Sequence, residues 1–181
     1  MNQFYTHQQY LRRTLDYLDF SNQTKCLEFG SGDGSSIIFN EYSKKYGNMT
    51  IDCYEHDDKW LNTMESKYST QNYNFNVVDW NNFDYTELKK GSYDLIFVDQ
   101  GDWDARISTI DALRHCTKYI ILHDYCYYNG FRGFSIPESE KESALSVKEG
   151  TFFHKKYSDD FEIISEVELF PPTLILKNKN L

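Results

Sequence analysis

Two kinds of apolar spacing alternate along the chain. Between residues 4 and 18, Phe4, Leu11, Leu15 and Leu18 recur near helical spacing while Arg12, Arg13 and Asp16 fall elsewhere, which predicts an amphipathic N-terminal helix. After the polar turn Ser21, Asn22, Gln23 the pattern shortens to a strand over 25–29, followed by a glycine-rich loop over 30–34. A helix then begins at Ser35 and ends near Gly47, a natural C-cap. The same pair of signals repeats with a strand over 50–54, a helix over 57–68 with Trp60, Leu61, Met64 and Tyr68 on one face, and a strand over 74–78. Beyond a polar crossover come a strand over 93–98, a helix over 104–113 with Ile107, Ile110 and Leu113 aligned, and a strand over 119–122.

Strands alternating with helices at this spacing predict an α/β fold with a mainly parallel sheet covered on both faces. The handedness of the crossovers makes it a doubly wound, Rossmann-like sheet. The C-terminus departs from the alternation, because the strands expected over 161–169 and 173–177 are separated only by Phe170, Pro171 and Pro172. A parallel pair needs a crossover of about a dozen residues, so these two form an antiparallel hairpin if they pair directly.

At 181 residues and 40% hydrophobic content, the chain fits a single domain with a substantial core. We divide it into an N-terminal helix (1–20), a core expected to bind a cofactor (24–124), a segment over 125–160 expected to form a lid over the acceptor, and the hairpin (161–178). A formal net charge of −9 argues against a nucleic-acid partner, since phosphate binding draws on Lys and Arg. No apolar run of about 18 residues is present to span a bilayer, and the first residues lack the basic-then-apolar pattern of a secretory signal. Cys26, Cys53, Cys116 and Cys126 form no C-x-x-C pair, which fits free thiols in a reducing compartment. A soluble, cytoplasmic protein without a membrane partner is expected.

The strongest local signal is Glu28, Phe29, Gly30, Ser31, Gly32, Asp33, Gly34, set between a predicted strand and a predicted helix. Glycines there let the backbone turn sharply and approach a ligand closely, with a helix N-terminus facing it. The dinucleotide pattern G-x-G-x-x-G would need glycine where the chain has Ser35. An acid followed by G-x-G-x-G resembles the first motif of the class I S-adenosylmethionine-dependent methyltransferases. The resemblance implies that Glu28, Gly30, Ser31, Gly32, Gly34 and Ser35 surround the cofactor.

Three further strand ends extend it. Glu55 follows the second strand about 20 residues after the loop, where nucleotide-binding folds place an acid on the ribose hydroxyls, and His56 adjoins it. Its alternative is a solvated acid in the stretch Glu55, His56, Asp57, Asp58, with Asp57 or Asp58 capping the next helix. Asp79 and Trp80 follow the third strand, where the resemblance implies contacts to the adenine amino group and ring; the alternative is a turn with a core aromatic. Asp99 closes the strand over 93–98 at the switch-point crevice, within reach of the methionine ammonium, the acceptor or a metal.

His123 and Asp124 end the next strand on the same edge. Asp99 together with His123-Asp124 resembles O-methyltransferases of the macrocin and glucuronoxylan types, although Gln100 replaces the glycine that follows the first acid there. That resemblance implies methyl transfer from S-adenosylmethionine to an acceptor oxygen, with His123, Asp124 and Asp99 as catalytic residues. Asp99 and Asp124 are the carboxylates that would hold Mg²⁺ or another divalent cation, with Asp124-Tyr125 standing where catechol-type enzymes have D-N. Tyr125, Tyr127, Tyr128, Phe131 and Phe134, interleaved with Gly130 and Gly133, read as an acceptor-binding lid or as a contact in a homo-oligomer, followed by a capped surface helix reaching Gly150. The expected acceptor is a small molecule, a carbohydrate hydroxyl by resemblance. Two other classes share most of these features: an NAD-dependent oxidoreductase, and an inactive methyltransferase-like binding protein.

Overall fold

The computed structural model describes residues 5–101, 103–125, 151–166 and 171–181. The expected surface helix reaching Gly150, and Tyr127, Tyr128, Phe131 and Phe134 of the expected lid, lie outside them. Among the described residues the α-helices and strands succeed one another as α1 (Gln8–Asp16), β1 (Thr24–Phe29), α2 (Ser36–Lys45), β2 (Met49–Glu55), α3 (Asp58–Tyr68), β3 (Tyr73–Val77), β4 (Tyr93–Val98), α4 (Trp103–Leu113), β5 (Thr117–His123), α5 (Thr151–Tyr157), β6 (Phe161–Glu166) and β7 (Thr173–Asn178). The seven strands form one sheet in the order β3-β2-β1-β4-β5-β7-β6. β1 to β5 are parallel, while β7 runs antiparallel to both β5 and β6. The hairpin expected from its short connection is thus present, and the sheet accepts its second strand, β7, next to β5.

Alternation along the central strands sends neighbouring residues into two separate cores. Leu27 and Phe29 of β1, Ile96 and Val98 of β4, and Ile120 and Leu122 of β5 join Ile110 and Leu113 of α4 and Phe153 and Tyr157 of α5. Cys26 of β1, Leu95 and Phe97 of β4, and Ile121 of β5 turn to the other face, against Leu11 and Leu15 of α1 and Ile38 and Phe39 of α2. Full burial of a leucine such as Leu11 or Leu15 stabilises by about 1.5–3 kcal/mol, which fastens α1 to the sheet. The residues between 151 and 160, grouped with the expected lid, instead supply core: Phe153 and Tyr157 are both fully buried one helical turn apart. Tyr125 is buried as well and meets Phe153 edge-on. Among the described residues no helix is long and apolar enough to cross a membrane.

Candidate active site

The strand register builds a single ionisable edge. Tyr54, Phe29, Val98 and Leu122 lie side by side across β2, β1, β4 and β5. The next residue of each strand is therefore Glu55, Gly30, Asp99 and His123. Gly30 has φ of 87° and sits so close to the end of β4 that a Cβ would lie 2.5 Å from the Asp99 carbonyl oxygen. No other residue type accommodates both constraints without strain. At Gly34 a Cβ would run into the His7 ring at 2.7 Å, so this glycine makes room for the segment before α1. Gly32 differs, because a Cβ there meets nothing closer than 4.0 Å. Among the described residues, nothing gives Gly32 a steric reason to be glycine.

Side chains around the loop are committed to holding it. Glu28 is fully buried and accepts hydrogen bonds from Ser35 Oγ at 2.6 Å, Ser36 Oγ at 3.0 Å and Tyr73 Oη. Ser36 Oγ in turn accepts from the Gly32 amide at 3.2 Å, so Glu28 fixes the loop through a hydroxyl. Burial pushes the Glu28 carboxyl up to about 7, against the downward pull of the three hydroxyls. The structure therefore places Glu28 and Ser35 beneath the loop, bonded to each other. Asp33 turns away to Tyr68 Oη at 2.6 Å and Lys67 Nζ at 3.1 Å.

Glu55 is buried at the end of β2 and reaches the same loop, accepting from the Ser31 amide at 3.0 Å and the His56 amide at 2.7 Å. It is thereby no solvated surface acid. His56 Nδ1 stands 2.7 Å from Glu55 Oε1. Asp57, one of the two alternative caps, bonds the Trp60 amide at 3.0 Å and starts α3. Trp60 is 40% exposed, outside the apolar face expected for it, and its indole N–H donates to Ser31 O at 2.8 Å. Asp79 is exposed and caps a 3-10 turn over Trp80–Asn82 through the Asn81 amide. Trp80 is half-buried among Phe29 and Phe83, with ring centroids 6.1 and 5.7 Å away, and its Nε1 is buried without a hydrogen-bond partner among the described residues.

At the other half of the edge, His123 and Asp99 meet directly. His123 Nδ1 stands 3.1 Å from Asp99 Oδ2, and Nε2 stands 3.2 Å from Thr6 Oγ1. Burial alone would raise the Asp99 carboxyl, but the hydrogen bond and charge of His123 and the charge of Arg106 hold it below the usual carboxylate range. Arg106 fastens the two strand ends together: Nη2 reaches Asp99 Oδ1 at 3.3 Å, Nη1 donates to His123 O at 2.8 Å, and Nε donates to Gln100 O. Gln100, where the related pattern has glycine, is buried and accepts from Thr109 Oγ1 at 3.0 Å. Asp124 follows with φ of 56°, a left-handed conformation that Asp tolerates better than most residues and that concentrates at functional turns.

Sequence patterns gave no sign of His7. It precedes α1, is 2% exposed, and packs edge-on to His123 at 4.3 Å between centroids and against Phe97 at 5.0 Å. Burial, reinforced by His123, pushes its imidazole down to about 3, so it is neutral at physiological pH. The structure thus brings together Asp99, His123 and His7, with Thr6 and Arg106 around them. Among the described residues the side chains placed to share a metal ion are these two histidines and Asp99, a group that does not include Asp124.

No protein-family model matches the sequence, and no curated protein matches it. Solved structures do. An O-methyltransferase family protein from Burkholderia thailandensis superposes with a TM-score of 0.61 at 9% identity, covering 95% of this chain and 55% of its own. This chain therefore spans little more than half of that protein. Human methyltransferase-like protein 13 in complex with SAH gives a TM-score of 0.63 at 15% identity, covering 96% of this chain and 82% of its own. The N-terminal domain of EvdMO1, solved in the presence of SAH and D-fucose, gives 0.59 at 14% identity, with 96% and 84% covered. At these identities the likeness is one of fold: the chain has the class I methyltransferase fold.

Proposed function

We propose that this chain is an S-adenosylmethionine-dependent methyltransferase that O-methylates a small soluble acceptor, a sugar hydroxyl in the simplest case. The observation that carries the proposal is Gly32. It is the open position in a loop whose other glycines and polar side chains have protein partners, and it follows β1 of a class I methyltransferase fold. Backbone from Gly30 to Gly34, with Ser31 and Ser35 held by Glu55 and Glu28, would receive the methionine portion of the cofactor. Glu55 and His56 would meet the ribose, with the carboxylate exchanging its bond to Ser31 for the diol. Asp79 and Trp80 would meet the adenine, for which the Trp80 indole N–H has a hydrogen bond to give.

Methyl transfer needs donor and nucleophile aligned and a hydroxyl proton removed; the cofactor supplies the reactive methyl. Asp99, His123 and Asp124 stand together at the edge where the acceptor would lie. His123 is the proposed base, with Asp99 and Arg106 holding its side of the edge and Asp124 beside it. Its ring nitrogens are engaged in the free protein, and such contacts commonly rearrange when substrates bind. The structure of EvdMO1 was solved with a sugar present, which supports a carbohydrate acceptor as the first to test. Mg²⁺ fits the edge less well than it fits a carboxylate pair, because the partners gathered around Asp99 are two imidazoles and the Arg106 guanidinium. The buried thiols Cys26 and Cys53 suit a cytoplasmic site of action.

Incubation with methyl-labelled S-adenosylmethionine and a panel of monosaccharides, catechols, RNA and protein tests the acceptor. Label is expected on a sugar oxygen. Label on RNA or protein would overturn the acceptor, and S-adenosylhomocysteine binding without transfer to any acceptor would mark an inactive binding protein.

A further inference from the structure

Three side chains near the cofactor loop hold potential metal ligands in an arrangement that hydrogen bonding alone leaves incomplete. One ligand atom from each of His7, Asp99 and His123 lies within 4.8 Å of the others. The proton on Thr6 Oγ1 is directed to Pro171 O at 2.6 Å. A hydroxyl has one proton to give, so towards His123 Nε2 at 3.2 Å it accepts, and Nε2 carries the hydrogen. His123 Nδ1 then presents its lone pair to Asp99 Oδ2 at 3.1 Å unless a second proton or a metal ion lies between them. A second proton would satisfy that pair and leave His7 unexplained. His7 is buried, and the Gly34 backbone beside its ring makes no well-aligned hydrogen bond to either nitrogen. A metal ion accounts for all three.

We propose that His7, Asp99 and His123 bind one divalent first-row transition-metal ion. The site shares Asp99 with the carboxylate pair expected from the sequence but takes two imidazoles in place of Asp124, and while the ion is bound both ring nitrogens of His123 are committed, so His123 serves as the proposed base only in the metal-free state. Metal–ligand bonds of about 2.0–2.2 Å place neighbouring donors roughly 3–3.5 Å apart, octahedral to tetrahedral, close to the 3.1 Å already present between His123 and Asp99. His7 needs only to close the remaining gap. Supporting contacts are in place as well. Thr6 fixes the tautomer and ring plane of His123, and Arg106 occupies Asp99 Oδ1, leaving Oδ2 for the ion. Two imidazoles and one carboxylate suit Zn²⁺, Fe²⁺, Co²⁺ or Ni²⁺, whereas Mg²⁺ and Ca²⁺ prefer oxygen. The ion takes the place of the proton that His123 and Asp99 would otherwise share, so the two states exclude one another.

The full chain, stripped with a chelator and dialysed, is titrated with ZnCl₂ by calorimetry and with CoCl₂ by visible absorption. One equivalent is expected to bind with a Kd below about 1 μM, with Co²⁺ developing ligand-field bands and millimolar Mg²⁺ failing to displace either ion. His7→Gln, with its fold checked by circular dichroism, should weaken binding at least about 100-fold, and Thr6→Val about 10- to 100-fold. His56→Gln and His154→Gln should leave it unchanged. Weak or non-stoichiometric binding to the unaltered chain overturns the proposal whatever the variants do. So does full-strength binding to His7→Gln or Asp99→Asn. S-adenosylhomocysteine binding, measured on the same samples, stands or falls separately.

Discussion

Replacing Glu28 by glutamine isolates a single titration that the fold has displaced. The carboxyl is fully buried, and its value of about 7 compares with 4.5 for an unburied glutamate. That displacement corresponds to roughly 3 kcal/mol at most. Because the folded value is the raised one, Glu28 contributes stability that is complete below pH 4.5 and is lost as pH rises through about 7. His7, lowered to about 3, acts in the opposite sense: its contribution is present above pH 6.5 and lost as pH falls. The difference between the two chains removes the His7 effect. A glutamine at this position keeps an oxygen for Ser35 and Ser36 and offers its amide to Tyr73 Oη, so the packing survives while the titration does not. Urea denaturation of metal-stripped protein from pH 4 to 8 is the assay. The stability of Glu28→Gln relative to the unaltered chain should climb by roughly 3 kcal/mol between pH 4.5 and 8. Parallel stability curves would refute the raised carboxyl and the buried hub built on it.

Three further outcomes follow from the site. Gly30→Ala should destabilise by roughly 2–5 kcal/mol in the same assay, part from the positive φ and part from overpacking against the β4 backbone; a loss under about 1 kcal/mol would mean the loop relaxes freely. Glu55→Ala should weaken S-adenosylhomocysteine binding by roughly 1.5–3 kcal/mol, and an unchanged dissociation constant would confine Glu55 to holding Ser31 and His56. Asp124→Asn preserves the left-handed turn, and both it and His123→Gln should cut kcat about 10²- to 10⁴-fold with little change in cofactor affinity; full turnover in both would remove them from the chemistry.

The sheet was legible because period-2 and period-3.6 signals alternate cleanly as far as His123. Position within the sheet was harder: a hairpin over residues 161–178 is implied by its short connection, but which of its strands joins β5 depends on complementary packing across Leu174, Ile175 and Leu176. α5 escaped notice since it is only seven residues long, although Phe153 and Tyr157 carry the i, i+4 signal of a buried face. Trp60 misled because it sits near an apolar stripe, while its indole N–H is drawn to the Ser31 carbonyl. Glycine spacing marked the loop, but it could not separate Gly30 and Gly34, which the protein needs for its own packing, from Gly32, which it does not. His7 was invisible for another reason. Its partners are 92 and 116 residues away in sequence, and only the register of β4 with β5 and the seating of α1 bring them together.

The most direct test of methyltransferase function begins at the cofactor, by calorimetric titration of the chain with S-adenosylhomocysteine and with NAD side by side, repeated on Gly32→Val. S-adenosylhomocysteine is expected to bind at micromolar affinity or better, about −8 kcal/mol or more favourable, while NAD gives no heat. Gly32→Val should lose that binding and keep its thermal midpoint, since a Cβ at this position meets no described protein atom closer than 4.0 Å and the added bulk would fill the space proposed for the cofactor. Tight NAD binding with a silent S-adenosylhomocysteine titration, or undiminished cofactor binding by Gly32→Val, would contradict the assignment.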